Sequence, residues 1–407
     1  MAKLTFIREV MKIKITVIIL LLSTPALSSY VWTQRASFPG AARFEAASFA
    51  IGTNGYISCG IGFSNTKYND CWEWNSVANI WTQKASLPSS VRYGCGGFSL
   101  NGKGYVVCGW ISNQSQLNQL WEFDPIINVW IQKADYPGIG RYTTTIFTIN
   151  NLAYVGLGFS PYNSKFYKYD GVSDIWTQIA NFPGIPRQNA SGLSLNGKGY
   201  VIGGHVDPNT DYYDCYEYDP VTDTWTQKAD FTSFARFGAT EFVFNNTAFF
   251  GMGGTYQTNY NDFYSYDPVN DIWTSITSLP STSRKSTCSF SIGNAGYVYG
   301  GNLMNNMLSN DLWELSEVSS TTELSEKISI KPFPNPCSTE FAFNTSGYYQ
   351  QGAQLFIYTS DGKLIQKADL TAGVNVIKLK PEISMGTYHA TYIQQDFKTT
   401  FKLVVMR

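Results

Sequence analysis

Charge is scarce in this chain. Only 14% of its 407 residues are Asp, Glu, Lys or Arg, against about 25% in an average soluble protein. With a net charge of −1 there is no basic excess to neutralise phosphates, so nucleic acid is excluded as the partner. The same deficit excludes the charge-rich compositions of disordered chains and coiled coils. Histidine is rarer still: His205 and His389 are the only two, and no Cys-x-x-Cys or Cys/His spacing suits zinc, so neither a metal nor another cofactor is expected. Long apolar runs are missing as well. The longest, residues 15–22, falls far short of the ~20 residues that span a bilayer. No GxSxG, HExxH or phosphate-cradling glycine loop is present between a strand and a helix.

What the chain does have is aromatic: 11 Trp, 27 Tyr and 26 Phe, beside 35 Gly. It begins with Lys3, Arg8, Lys12 and Lys14, the apolar run 15–22, then Pro25 and Ala26-Leu27-Ser28, the three parts of a secretory signal peptide. Residues 1–28 are therefore expected to be removed, which leaves no transmembrane segment and a mildly acidic exported protein. Seven cysteines (59, 71, 95, 108, 215, 288 and 337) are too few and too scattered for a disulfide framework. A two-residue turn at Asn101-Gly102 places Cys95 opposite Cys108, the one disulfide candidate; two buried thiols are the alternative.

Internal periodicity decides the fold class. WTQRA at 32, WTQKA at 81, WIQKA at 130, WTQIA at 176, WTQKA at 225 and WTSIT at 273 recur at intervals of 46 to 49 residues, the period of a propeller blade. About 11 residues after each comes an arginine: Arg43, Arg92, Arg141, Arg187, Arg236 and Arg284. An apolar run, a turn, and a second run ending in a Gly-containing pair follow (Cys59-Gly60, Cys108-Gly109, Leu157-Gly158, Gly203-Gly204, Gly253-Gly254, Gly300-Gly301). After a polar loop the unit closes with segments such as LWEFDPIINVW and CYEYDPVTDTW. Each unit reads as four short strands with Gly, Asn, Asp and Pro turns. The sixth ends at Asp311-Leu312-Trp313-Glu314-Leu315 without its own W-T-Q strand, so residues 31–36, VWTQRA, are expected to supply it and close the ring.

These units resemble the kelch repeat: an arginine opening the first strand, a glycine pair ending the second, an aromatic before Asp-Pro, and the tryptophan of the fourth. The resemblance implies an all-β, six-bladed β-propeller over residues 29–316. The first three glycine pairs depart from Gly-Gly, being Cys-Gly, Cys-Gly and Leu-Gly.

Residues 317–326 are polar and read as a linker. Residues 327–407 lack tryptophan and the repeat, and alternate as strands around an Asp361-Gly362 turn, which suits a small β-sandwich. Pro334-Asn335-Pro336, FIYTSDGKLI, Gly373 with Asn375, Gly386-Thr387-Tyr388 and a last strand KLVVMR resemble the type A C-terminal sorting domain of the type IX secretion system. That resemblance implies a bacterial export machinery as partner and a secreted or outer-surface location.

In such meanders the 4–1 and 2–3 loops share one face, so the six arginines should ring the channel mouth there. Four are followed by aromatics, Phe44, Tyr93, Tyr142 and Phe237, which suit sugar faces or peptide side chains. A non-catalytic propeller binding a glycan or protein ligand through these ten residues is the first reading, with the arginines as internal supports of the repeat as the bland alternative. Glu45 and Glu241, on first strands near an arginine, are the candidate acid/base residues of a second reading, a sugar-modifying enzyme. For it the nearest resemblance is to the six-bladed kelch N-acetylneuraminate epimerases. Asp207 and Asp211 form a DxxxD of the kind that can hold calcium, a weak signal.

Overall fold

A computed structural model describes residues 30–112, 115–159, 161–207, 209–318, 332–345, 352–394 and 397–406. The expected signal peptide (1–28) lies outside them, as does the expected linker (317–326) from residue 319 on, while Glu317 ends a strand.

Six four-stranded antiparallel sheets follow the six repeats. The first is a meander of Ala47–Ile51, Asn54–Ser58, Cys71–Asn75 and Ile80–Lys84, and the next four repeat the plan. The sixth takes Cys288–Ile292, Ala295–Tyr299 and Leu312–Glu317 from its own repeat and Tyr30–Arg35 as its outer strand. Trp32 stands opposite Leu315 and Arg35 opposite Leu312, so the closing strand expected of VWTQRA is in place. The innermost strands touch their neighbours in a closed cycle, blade six against blade one. The chain is thus an all-β propeller.

Neighbouring blades hold together because the repeat places similar contacts from junction to junction. At four of the six junctions the inner-strand phenylalanine of one blade lies flat on a glycine of the next: a Cβ on Gly104 would fall 2.0 Å from Phe49, and one on Gly55 2.2 Å from Phe290. At these positions glycine is needed for close approach rather than for a turn. At the rim, each fourth-strand tryptophan donates its indole N–H to a carbonyl of the preceding blade. Trp81 reaches Ala36 at 2.9 Å, Trp130 reaches Ala85 at 2.8 Å, and Trp32 closes the series on Thr277 at 3.0 Å. A buried indole thereby fills the wedge while its one polar atom stays satisfied.

The turn at Asn101-Gly102 gives the expected register, with Gly96 opposite Val107, but the ladder stops there. Cys108 adopts a left-handed φ of 64° and buries its thiol between blades two and three with Tyr105 and Val107. Cys95 packs instead with Cys59 and Cys71 between blades one and two. The Cys95–Cys108 disulfide is therefore corrected: the backbone turn separates the two side chains, and all seven cysteines are free and buried.

The C-terminal region is a separate β-sandwich core. Glu340–Asn344 pairs with Val374–Lys378, and a four-stranded sheet runs Leu364–Asp369, Gln354–Tyr358, Gly386–Gln394, Phe397–Val405. Phe341, Phe343 and Ile377 from the first sheet meet Leu355, Ala390 and Leu403 from the second. Asn335 clamps the last strand, its amide donating to the Lys402 carbonyl (2.9 Å) and its oxygen accepting from the Val404 N–H (2.9 Å). Asn375 is buried, with its amide shared among Thr345, Thr371 and Gly373.

Candidate functional site

The six repeat arginines start the inner strands on one face, as the meander geometry requires, but they do not present their charge to a ligand. Each is at most 3% exposed. Arg43 forks onto Asp70 (Nη1–Oδ1 2.5 Å, Nη2–Oδ2 2.9 Å) and also donates to the Ala41 and Cys59 carbonyls. Arg236 grips Asp262 at 2.6 and 2.9 Å; Arg187 takes Asp214 and Arg284 takes Asp311 in the same bidentate way. Arg92 uses the Gln119 side-chain oxygen (2.8 Å). The expectation of a cationic ring is corrected: an acceptor directly before the third strand of the same blade, or within it for Asp214, takes up each fork except that of Arg141. The signal was legible as Asp70, Asp214, Asp262 and Asp311, 26 or 27 residues after their arginines.

Two residues beyond each arginine the backbone turns left-handed: Glu45, Gly94, Thr143, Asn189, Gly238 and Ser286 all have φ between 49° and 62°. Their main chains join in a ring. Glu45 N–H donates to Ser286, Ser286 to Gly238, Gly238 to Asn189, Asn189 to Thr143, Thr143 to Gly94 and Gly94 back to Glu45, at 2.7–3.2 Å. This belt rims an axial cavity of about 450 Å³ whose wall is the six inner strands.

Both candidate carboxylates line that cavity. Burial pushes Glu45 up to about 7, against the opposing hydrogen bond from Ser286 and the charge of Lys285. Deeper in, burial pushes Glu241 up to about 8, opposed only by the Ser191 hydroxyl. A carboxyl titrating near neutrality can both donate and accept a proton under working conditions.

Above the belt the mouth is aromatic. Residues after the repeat arginines bridge to the end of a glycine pair or to the residue just after it: Tyr93 to Trp110, Tyr142 to Phe159, Gln188 to His205, Phe237 to Gly254. Tyr93 and Tyr142 come together, 6.2 Å apart, with Trp110 stacked on Tyr93 (6.1 Å) and edge-on to Tyr142 (4.6 Å). Phe237 stands elsewhere, packed on His205 and Tyr256, with the Lys285 ammonium 4.5 Å above its ring. Phe44 bridges to Ile61 and is half-buried. Burial and the nearby Glu45 charge push the Tyr93 hydroxyl up to about 12, which keeps it a hydrogen-bond donor.

Asp207 and Asp211 do not converge on a free cation site, because both are turned onto His205: Asp211 meets Nδ1 at 2.8 Å and Asp207 meets Nε2 at 2.9 Å. Asp207 also accepts from the Tyr256 hydroxyl (2.6 Å), the Tyr162 hydroxyl (3.1 Å) and the Gln188 amide (3.2 Å). Burial works to raise its carboxyl, yet these donors hold it below the usual carboxylate range. Lys285 donates to the Thr255 carbonyl at 2.5 Å; burial lowers its pKa, and the charges of Asp211 and Glu45 act in the other direction. Among the described residues, no group of three or more His, Cys, Asp or Glu is set to hold a metal. Trp110, Phe159, Tyr162, His205, Tyr256 and Lys285 escaped the sequence reading. Three of them directly follow a glycine pair, so the bridge rule between that position and the one after the arginine would have found them.

Comparison with known proteins agrees with the fold. The family described as the KLHDC2/KLHL20/DRC7 Kelch-repeats domain matches residues 139–301, so the chain carries a kelch-repeat domain. A solved structure titled "Structure of YjhT" superposes with a TM-score of 0.59 at 17% identity, covering 68% of this chain and 96% of that one. No curated protein matches the chain in sequence.

Proposed function

We propose that the protein is an exported kelch propeller that binds a glycan at the mouth above the belt. The observation that carries this reading is the pairing of a partly exposed aromatic wall, Tyr93, Trp110 and Tyr142, with a polar cluster of Asp207, Gln188, Tyr162, Tyr256 and Lys285 on the same face. Sugar rings offer an apolar face for stacking and hydroxyls that need both donors and acceptors, and concave sites combining the two bind small polar ligands. The repeat arginines act here as internal supports. A glycan array on the full chain, followed by titration of the best binder into Tyr142→Ala and Tyr256→Ala, tests it; retained affinity in both variants would move the site elsewhere.

The C-terminal sandwich serves export. Support comes from its landmark residues, since Asn335 pins the last strand and Asn375 fixes the turn at Gly373. Deleting residues 327–407 in the native host should trap the propeller inside; unchanged export would rule the role out.

One observation favours a second reading, a sugar isomerase. Glu45 and Glu241 titrate near neutrality inside the cavity, and a carboxyl so poised can remove a proton from a bound sugar and return it on another face. Loss of a sugar-interconversion signal in Glu45→Gln, with binding retained, would distinguish it from binding alone.

A further inference from the structure

Blade three breaks the pattern of its siblings. In the register position that holds Asp70, Gln119, Asp214, Asp262 or Asp311 stands Lys165. Its carbonyl still accepts from Leu157 N–H (3.4 Å), as the Asp70 carbonyl does from Cys59, but its exposed side chain offers no acceptor. Arg141 is nevertheless buried, 3% exposed. It keeps the Nη1 bond to the Leu157 carbonyl at 2.5 Å, and among the described residues it has no ion pair. Its Nε has no hydrogen-bond partner, whereas the other five arginines donate Nε to the carbonyl two residues back. Beside it lies Tyr136, 1% exposed, where the other blades place Phe or Leu. Its hydroxyl is also unpartnered, and its ring centre is 5.3 Å from the Arg141 guanidinium.

A buried guanidinium without a counter-charge is strongly unfavourable, and so is a buried donor without an acceptor. Both defects lie in one blade, and both are donors. We infer that blade three holds a small monovalent anion, such as a halide, that accepts from Arg141 and Tyr136 in place of the carboxylate that four other blades supply from their own chain. The two groups adjoin, so one bound anion serves both. Its role is to complete the ion pair that the sequence omits.

Bromide serves as the probe. Thermal unfolding of the full chain in sodium bromide is compared with sodium gluconate at equal ionic strength. The wild-type midpoint should rise and saturate with bromide. Lys165→Asp, which restores the carboxylate, should raise the midpoint in gluconate and abolish the bromide response. Tyr136→Phe should bind bromide about tenfold more weakly, through loss of one hydrogen bond to a charged partner, while keeping its gluconate midpoint. A bromide anomalous peak beside Arg141 in crystals would support the site directly. No bromide-specific shift in the wild type, an undiminished response in Lys165→Asp, or ordered bromide only elsewhere would overturn the assignment. If Lys165→Asp fails to fold, Tyr136→Phe carries the test, because equal bromide affinity there also overturns it.

Discussion

The backbone N–H of Glu45 donates to the carbonyl of Ser286 at 3.1 Å, a bond between the first blade and the last. It completes a six-membered belt of left-handed residues that the chain could not form until all six repeats were folded. A second series runs alongside, in which one glycine of each pair donates to the arginine carbonyl of the next blade, ending with Gly301 on Arg43. Closure is therefore written into the main chain at the mouth as well as into the Tyr30–Arg35 strand at the rim.

The arginine forks hold the mouth together and are not where ligand binds. Asp214→Ala leaves Arg187 buried without its partner, which should cost about 3–5 kcal/mol in denaturant unfolding. The folded fraction should keep its glycan affinity, whereas a site built from the arginines would lose both.

Trp32 is the rim clamp of the last junction, 8% exposed and edge-on to Phe263 at 5.0 Å. Trp32→Ala should lower stability by about 3–5 kcal/mol, and deletion of residues 30–36 should cost more by opening the ring. A melting temperature unchanged by the deletion would contradict closure by this strand.

Glu241 supplies a pH signature. Its folded pKa, about 8, lies above the ordinary value of 4.5, so the folded state holds a proton that the unfolded chain has released. The resulting stability is fully present below about pH 4.5 and is lost as pH rises through 8. Glu241→Gln should flatten the fall in melting temperature between pH 5 and 8.5, while a wild-type curve already flat in that window would contradict the burial argument. Glu45, raised to about 7, contributes with the same sign and should remain in the variant as a weaker slope ending near pH 7.

The cysteines give a count. With all seven free and buried, a thiol reagent should label few in the native protein and seven after unfolding without reductant. Five would indicate a disulfide.

Much of the fold was legible because the chain states the same interactions six times. A tryptophan, an arginine and a glycine pair at fixed spacing define each blade, and a missing last strand with a spare first one dictates closure. The site was legible only in part. Tyr93, Tyr142 and Phe237 could be placed by their position after an arginine, and Glu45 and Glu241 do line the cavity. The arginines were placed on the right face, but the choice between ligand contact and internal support stayed open, because it depends on a partner 26 or 27 residues away, across a loop of variable length. His205, Tyr256 and Lys285 were missed because they come from three consecutive blades, four to six, and meet only when those blades pack side by side. The left-handed belt carries no common residue type, since Glu, Gly, Thr, Asn, Gly and Ser all occupy it, so its backbone geometry had no signature in the sequence.

The most direct test of the account is calorimetric titration of the best array glycan into wild type, Tyr142→Ala, Tyr256→Ala and Asp207→Asn, with melting temperatures measured alongside. The account predicts that each substitution weakens binding about tenfold or more, equivalent to at least ~1.4 kcal/mol, in protein that remains folded. Unchanged affinity across all three folded variants would contradict it and place ligand recognition away from the mouth.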